Sequence, residues 1–230
     1  MKIGIIGAME EEIKSLRERL DHPLSWEQAG ALFISGSLGN HEVIVVRSGI
    51  GKVLASITTT LLIHQYKVNM VINTGTAGGI GSGLAIGDLV VADKVAYYDV
   101  DATTFGYKIG QVPGMPLYYD SSVYLRQEMI KTAEKVGQKV HEGLIVSGDS
   151  FISSPEKTHA IKQNFPDALA LEMESTAIGQ TAAQFGIPFL ILRALSDTAD
   201  QAATETHEEF VEHTGKASAE LVTEFVQHLK

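Results

Sequence analysis

Short apolar, mostly β-branched runs recur along the chain, and segments of helical periodicity lie between several of them. The runs are residues 3–6, 42–47, 70–73, 88–96, 143–146, 168–171 and 189–194. The helical segments are residues 10–20, 52–66, 121–136, 155–164, 173–185 and 206–229. Strands that alternate with helices predict an α/β fold, with a largely parallel or mixed sheet covered by helices on both faces. In such sheets, ligands bind beyond the carboxyl ends of the strands.

The composition limits the kind of partner. Eighteen basic against twenty-eight acidic side chains give a formal net charge of −10, a poor match to nucleic-acid phosphates or an anionic membrane surface. There is no cysteine, and the eight histidines show no ligand-like clustering, so we predict no metal site. No apolar run reaches transmembrane length. We therefore predict a cytoplasmic protein with a single domain, residues 1–230, that binds a small molecule.

Small residues and acids gather directly after the predicted strands. These segments are residues 7–12, 48–51, 74–79, 147–152 and 196–197. Glycines let a ligand approach the backbone, and their N–H groups serve as donors. Because the carboxyl ends of parallel strands meet at one edge of a sheet, we expect these segments to form one site.

Glu172 and Glu174 lie two residues apart in an apolar stretch without Lys or Arg. A buried ionised carboxylate is costly unless hydrogen-bond donors meet it. A strand that continued through both would aim them at one face and Met173 at the other. The pair fits either a structural role or the binding of a polar ligand, such as a ribose diol, that supplies donors.

The other acids also have simple structural explanations. Acids in the first turn of a helix interact favourably with its dipole, which accounts for residues 10–12. Asp197 fits an Asx-turn or helix cap, and Phe151 fits a core position. Together, however, the acids indicate cleavage at the anomeric carbon of a sugar. That reaction needs a carboxylate to activate water, a proton donor for the leaving group and polar contacts to the ring hydroxyls.

Other known motifs do not fit the chain. Residues 75–81 lack the G-x-G-x-x-G spacing, and Val53 follows Lys52 where a P-loop requires Ser or Thr. Residues 148–152 end in Ile rather than the Gly of a nucleophile elbow, and residues 207–211 lack the second His of a zinc helix. We therefore expect neither a nucleoside triphosphate site nor a serine or zinc hydrolase.

Seven motifs carry a resemblance that runs nearly end to end. They are residues 3–12, 48–52, 73–79, 104–107, 143–152, 172–174 and 193–197. With them the chain resembles the 5′-methylthioadenosine/S-adenosylhomocysteine nucleosidases of the purine nucleoside phosphorylase superfamily. The resemblance implies a three-layer α/β/α sandwich with a central twisted mixed sheet. It also implies a homodimer that hydrolyses the N-glycosidic bond of adenine thionucleosides with water and no cofactor.

The resemblance further implies three catalytic residues. Glu12 would be the general base that activates water. Glu174 would bind the ribose hydroxyls and share the positive charge of an oxocarbenium-like transition state. Asp197 would protonate N7 of adenine, so that the leaving group becomes less basic.

The remaining substrate contacts are implied in the same way. Arg193 would help to hold the water, and Ser196 would orient the carboxyl of Asp197. Phe151 would stack on the purine, and the backbone of Ile152 would read its edge. The other residues implied to bind the substrate are Met9, Ile50, Thr76, Ala77, Gly78, Glu172 and Met173.

Two residues are implied to act across the dimer, and three positions depart from the family pattern. Phe105 and Pro113 would cover the 5′-substituent in the neighbouring subunit. Thr76 stands where many members carry Ser, and Tyr98 stands where His is usual. His207 replaces a common Phe in a loop that closes over the ligand, which leaves the preference at the 5′ side open.

Other functions stay open on the sequence alone. A phosphorolytic purine nucleoside phosphorylase would need a cationic phosphate site, for which Arg47, Lys52 and Arg193 are the candidates. A related hydrolase could act on a different purine nucleoside. A non-catalytic nucleoside-binding protein would bind the thionucleoside but release no adenine.

Overall fold

A computed structural model of the protein describes residues 1–198 and 207–229, apart from the side chains of residues 198 and 207–212. The strands in this part are β1 (Lys2–Gly7), β2 (Asp21–Gln28), β3 (Ala31–Leu38), β4 (His41–Arg47), β5 (Met70–Gly79), β6 (Leu89–Tyr97), β7 (Tyr119–Asp120), β8 (Val140–Ser147), β9 (Ala168–Glu172) and β10 (Phe189–Thr198). The α-helices are α1 (Glu10–Glu18), α2 (Lys52–Thr60), α3 (Val123–Lys135), α4 (Pro155–Asn164), α5 (Ser175–Gln184) and α6 (His207–His228). A π-helical turn, Leu61–Gln65, extends α2, and a 3₁₀ turn covers Thr103–Phe105.

The ten strands form one mixed sheet. β1 pairs in parallel with β4 and β5, and β5 pairs in parallel with β10. β6 and β9 both lie parallel to β8, whereas β10 runs antiparallel to β6 and β9 runs antiparallel to β5. Because β5 pairs with both β10 and β9, the strands β5, β10, β6, β8 and β9 close into a ring. The strands β1, β4, β3 and β2 continue from this ring as an open sheet.

Helices cover both faces of the sheet, which confirms the predicted three-layer α/β/α class. Along β1, Ile3 and Ile5 are buried in the cluster that contains residues of α1, α3 and α6, while Ile6 is buried in the cluster of α2 and α5. Successive residues of a strand point to opposite faces, so a strand apolar at every position is buried on both sides. The apolar runs in the sequence therefore identified the central strands correctly.

The structure contains a hairpin of β2 and β3 that the sequence pattern does not predict. β2 is almost entirely exposed at the edge of the sheet, and it contains Pro23 and several polar residues. β3 has Gly36 between two serines, which interrupts its apolar run. An exposed edge strand needs no continuous apolar sequence, so the signal that marks central strands is absent there.

None of the described helices combines the length and apolarity that crossing a membrane would require.

Candidate active site

A pocket of about 240 Å³ opens beside the ends of β1, β5, β9 and β10. Its lining contains most of the side chains that the sequence analysis singled out. The lining residues are Ala8, Met9, Glu12, Ile50, Thr76, Ala77, Gly78, Ser150, Phe151, Ile152, Leu171, Glu172, Met173, Glu174, Ser196 and Asp197. Of these, Ala8, Ser150 and Leu171 were not predicted. Ala8 and Ser150 fall within two of the predicted strand-end segments, residues 7–12 and 147–152, and Leu171 directly precedes Glu172.

Glu12 is buried in the first turn of α1 and faces the pocket. Its Oε2 accepts hydrogen bonds from the backbone N of Ala8 at 2.7 Å and of Met9 at 3.1 Å. Its Oε1 accepts from the backbone N of Thr76 at 2.9 Å and from Thr76 Oγ1 at 3.2 Å. A Cβ at Gly75 would overlap both Glu12 and the guanidinium of Arg193, so only glycine permits this approach. The hydroxyl of Thr76 thus contacts the acid that we predicted to activate water.

Arg193 on β10 is fully buried behind the pocket rather than in its lining. Its Nη2 lies 2.5 Å from Glu172 Oε2 and 3.4 Å from Glu174 Oε2, and its Nη1 lies 3.9 Å from Glu12 Oε1. Burial alone would lower the pKa of Arg193, but the three carboxylates raise it above the ordinary value. From this position Arg193 can hold the three acids in place. It is less suited to the predicted direct contact with the attacking water.

β9 does not continue through Glu174. Glu172 and Glu174 therefore do not point to the same face of a strand, which was the arrangement considered from the sequence. β9 ends at Glu172, and Glu174 is the N-cap residue of α5. Glu172 accepts hydrogen bonds from the backbone N of Glu174 and Ser175, both at 2.9 Å, and from Ser147 Oγ. The donors that burial demands therefore come from the protein, and Glu172 fixes the turn between β9 and α5.

Glu174 presents its carboxyl to the pocket from this turn. Its Oε1 accepts a hydrogen bond from the backbone N of Gly51 at 2.9 Å, just before α2 begins. Burial and the neighbouring Glu172 raise the pKa of Glu174 to about 8, although Arg193 and the Gly51 N–H act in the opposite direction. The carboxyl of Glu174 therefore holds a proton near neutral pH.

We expect the Glu174→Gln substitution to reduce the pH dependence of stability between about pH 4.5 and 8. The pKa in the folded protein lies above the unfolded value. Its contribution to stability is therefore fully present below the unfolded pKa and is lost as the pH rises through the folded pKa. Glutamine does not titrate, so the free energy of unfolding of the variant will fall less over this interval. Urea unfolding at several pH values measures the slope.

The exposed Glu18 at the end of α1 offers a matched control. Glu18→Gln should retain the wild-type slope, because that side chain is not buried among charges. Equal slopes for Glu174→Gln and the wild type would contradict the proposed protonation of Glu174.

Removal of Arg193 tests how the buried charges are balanced. Arg193→Gln leaves Glu12 and Glu172 without their cation and Glu174 without a hydrogen-bond donor, so we expect the free energy of unfolding to fall by about 3–5 kcal/mol. Arg47→Gln is the control, since Arg47 is half exposed and its Nη1 lies 3.5 Å from Glu10 Oε2. Its loss should cost less than about 1 kcal/mol. Urea unfolding of both variants gives the comparison, and equal small losses would show that the acids do not depend on Arg193.

Asp197 reaches the pocket through an irregularity in β10. Leu195 pairs with Ala77 and Asp197 pairs with Gly78, so Ser196 is the extra residue of a bulge. Bulges re-aim side chains at the ends of strands. Ser196 Oγ donates a hydrogen bond to Asp197 Oδ1 at 3.0 Å. The serine therefore lies where it can orient the carboxyl of Asp197.

Apolar side chains form the rest of the wall. Phe151 follows β8 and is 57% exposed, whereas the side chain of Ile152 is buried. Ile50, from the segment before α2, is also exposed at the pocket. The partly exposed ring of Phe151 offers a flat apolar face on which a heterocyclic base can stack.

Besides Arg193, three predicted site residues do not line this pocket. Phe105, at 80% exposure, and Pro113 lie on the surface between β6 and β7. Their contribution to a neighbouring subunit stays a prediction. His207 begins α6, but its side chain lies outside the described residues, so its predicted role stays untested. Among the side chains that the structure describes, no group of three or more His, Asp or Glu residues is arranged to hold a metal ion.

Comparisons with known proteins agree with this geometry. The family described as "Phosphorylase superfamily" matches residues 2–227. The 5′-methylthioadenosine/S-adenosylhomocysteine nucleosidase of Staphylococcus carnosus is 46% identical over 230 residues, which cover 99% of this chain and 100% of that protein.

Solved structures give the same result. S-adenosylhomocysteine nucleosidase from Streptococcus pyogenes, in complex with 5-methylthiotubericidin, superimposes with a TM-score of 0.96 at 43% identity, over 100% of this chain and 98% of that one. The Streptococcus pneumoniae nucleosidase with the transition-state inhibitor MT-ImmA gives a TM-score of 0.95 at 41% identity, over 100% of both chains.

The fold and the acid-lined pocket at its strand ends are those of a nucleoside-processing α/β/α protein. The full-length matches are more specific, and they confirm the resemblance seen in the sequence. The chain belongs to the phosphorylase superfamily and, within it, to the family of 5′-methylthioadenosine/S-adenosylhomocysteine nucleosidases.

Proposed function

We propose that the protein hydrolyses the N-glycosidic bond of 5′-methylthioadenosine and S-adenosylhomocysteine, and also that of 5′-deoxyadenosine, releasing adenine and the corresponding sugar. The observation that carries this proposal is the convergence of Glu12, Glu174 and Asp197 on one pocket that also contains the ring of Phe151. Breaking a glycosidic bond needs a base for water, stabilisation of a cationic ring and an acid for the leaving group. The three carboxyls supply one group for each task.

Glu12 is the general base in this proposal. Its carboxylate is fixed by backbone donors from two segments, at Ala8–Met9 and at Thr76. A base held in one orientation can take a proton from a water molecule that attacks the anomeric carbon, without first reorganising. Arg193 contributes through the contacts that keep Glu12, Glu172 and Glu174 in place.

Glu174 binds the ribose hydroxyls and stabilises the developing charge. Burial favours its neutral form. A bound ribose, whose hydroxyls donate hydrogen bonds to Glu174, favours the ionised form, so the proton is released to solvent as the substrate binds. The cationic sugar ring then attracts the carboxylate strongly in the shielded pocket. The interaction therefore strengthens as the transition state forms, which is the condition for lowering a barrier.

Asp197 is the acid that protonates N7 of adenine, and Ser196 orients it. Phe151 covers the face of the purine, and Ile152 contacts its edge. This order places the sugar near Glu12 and Glu174 and the base near Asp197. Protonation at N7 makes adenine a weaker base and therefore a better leaving group.

The charges around the pocket favour water over phosphate as the second substrate. Each cation considered for a phosphate site is paired with acids: Arg47 with Glu10, Lys52 with Asp99, and Arg193 with Glu172. Among the described residues that line the pocket, there is no Lys or Arg. Phosphate would meet carboxyl groups there without a compensating cation.

Adenine release from 5′-methylthioadenosine, with and without phosphate, tests the function. Phosphate-independent release together with free methylthioribose is the expected result. Formation of methylthioribose 1-phosphate only when phosphate is present would instead identify a phosphorylase. Stoichiometric binding without release would identify a binding protein.

The homodimer is part of the proposal. Ile50, which precedes α2 and lines the pocket, and Val53 in the first turn of α2 are more than half exposed, and Ile57 on the next turn is partly exposed. Phe105 is exposed as well. Apolar side chains exposed together support an interface near the site. Sedimentation analysis measures the mass in solution, and a monomer would remove Phe105 and Pro113 from the site.

We also propose a cytoplasmic location, which stays a prediction.

A further inference from the structure

The segment that carries the purine contacts is held from outside the pocket. Residues 148–152, here called the purine loop, follow β8 and include Phe151 and Ile152. Tyr98, just beyond β6, donates a hydrogen bond from its hydroxyl to Ser150 O at 2.7 Å. A Cβ at Gly148 would lie 2.5 Å from Tyr98 Cζ, so the tyrosine ring packs directly against the loop backbone.

Charged groups hold the same loop at a second point. Asp99 Oδ2 accepts a hydrogen bond from the backbone N of Asp149 at 2.9 Å and forms an ion pair of 2.7 Å with Lys52 Nζ. The backbone N of Lys52 donates to Asp149 Oδ1 at 2.9 Å. Lys52 and Asp99 thus link the purine loop to the start of α2 and to the end of β6.

The same turn of α2 also reaches the ribose side of the pocket. Gly51, directly before Lys52, donates its backbone N–H to Glu174 Oε1. The start of α2 therefore touches both the loop that covers the purine and the acid proposed for the ribose. Neither Tyr98, Asp99 nor Lys52 lines the pocket itself.

We propose that Tyr98 and Asp99 are positioning residues, which hold the purine loop so that Phe151 and Ile152 are preorganised for adenine. This inference rests on the proposed function. A loop that is already ordered pays less conformational entropy when the ligand binds. Tyr98 acts through the position of Ser150, and Asp99 acts through Asp149 and Lys52. The purine loop contacts the purine in both the substrate and the transition state. Positioning by Tyr98 and Asp99 therefore changes affinity more than turnover.

The Tyr98→Phe variant isolates the hydroxyl. We expect its dissociation constant for adenine, measured by titration calorimetry, to rise about three- to tenfold, the range for loss of one hydrogen bond. For 5′-methylthioadenosine, KM should rise by a similar factor while kcat stays within about twofold of the wild type. Tyr124→Phe, on the exposed surface of α3, is the matched control and should bind adenine as the wild type does.

A second variant tests the contacts that Asp99 makes with Asp149 and Lys52. Asp99→Asn keeps an acceptor for the backbone N of Asp149 but loses the charge that faces Lys52. We expect it to weaken adenine binding in the same direction as Tyr98→Phe.

The outcomes separate this inference from the proposed function. If the wild type hydrolyses the substrate, and both variants bind and hydrolyse as the wild type does, the positioning role alone is overturned. Equal losses in kcat and in affinity would also overturn it, since a loop needed only for general integrity would affect both. Failure of the wild type to bind adenine would overturn the purine site, and the positioning role with it.

Discussion

Replacing Asp197 with asparagine is expected to slow the release of adenine from 5′-methylthioadenosine by about 10²–10⁴-fold, the usual contribution of general acid catalysis. Asparagine has no proton to deliver to N7 at neutral pH. The substitution nevertheless preserves the local hydrogen bond, because Ser196 Oγ donates to Oδ1 and the amide retains that oxygen. The loss should therefore appear in kcat, with the fold and adenine binding maintained.

Quantifying adenine under single-turnover conditions separates the chemical step from product release. Asp167→Asn, in the exposed turn before β9, is the control and should retain full activity. Circular dichroism and thermal unfolding report on the fold of both variants. Adenine release at the wild-type rate from Asp197→Asn would remove Asp197 from the mechanism.

Replacing Glu12 with glutamine is expected to have a comparable effect on turnover, again about 10²–10⁴-fold, because an amide cannot take a proton from water. Its effect on stability will differ. Both carboxylate oxygens of Glu12 accept backbone hydrogen bonds, from Ala8 and Met9 on one side and from Thr76 on the other. The amide NH₂ of glutamine must face one of these donors. We therefore expect the free energy of unfolding to fall by about 1–3 kcal/mol as well.

Glu11→Gln provides the matched comparison, since Glu11 is the exposed neighbour on the same helix turn. It should change neither adenine release nor urea unfolding. A Glu12→Gln variant with wild-type turnover would contradict the role of Glu12 as base. Lost turnover with unchanged stability would show instead that the backbone donors at Glu12 tolerate the amide.

The elements that the sequence predicts correctly are those whose pattern is local. The central strands are buried on both faces, so their apolar runs are visible in the chain itself, and the intervening helices show their own periodicity. The carboxyl ends of parallel strands meet in space, which is why segments far apart in sequence were correctly expected to share an edge. The hairpin of β2 and β3 escaped because its exposure removes the apolar pattern.

The features of the site that the sequence does not predict depend on a long-range contact or on a small local irregularity. Nothing near Glu172 indicates that its cation is Arg193, which is brought to it by pairing between distant strands. The point where β9 ends separates the roles of Glu172 and Glu174, and strand ends are poorly determined by local sequence. The bulge at Ser196 has no composition signal, although it directs Asp197 to the pocket.

The single guanidinium shared by three acids has a consequence for how such a chain can diverge. Since Arg193 contacts Glu12, Glu172 and Glu174 together, exchanging one of them alters the charge balance felt by the others. Substitutions in this set should combine non-additively, so the four positions are constrained to change together or not at all. The apolar wall at Met9, Ile50 and Met173 carries no charge to be balanced. New substrate preferences can therefore arise there stepwise, while the acids and their arginine are inherited as one unit.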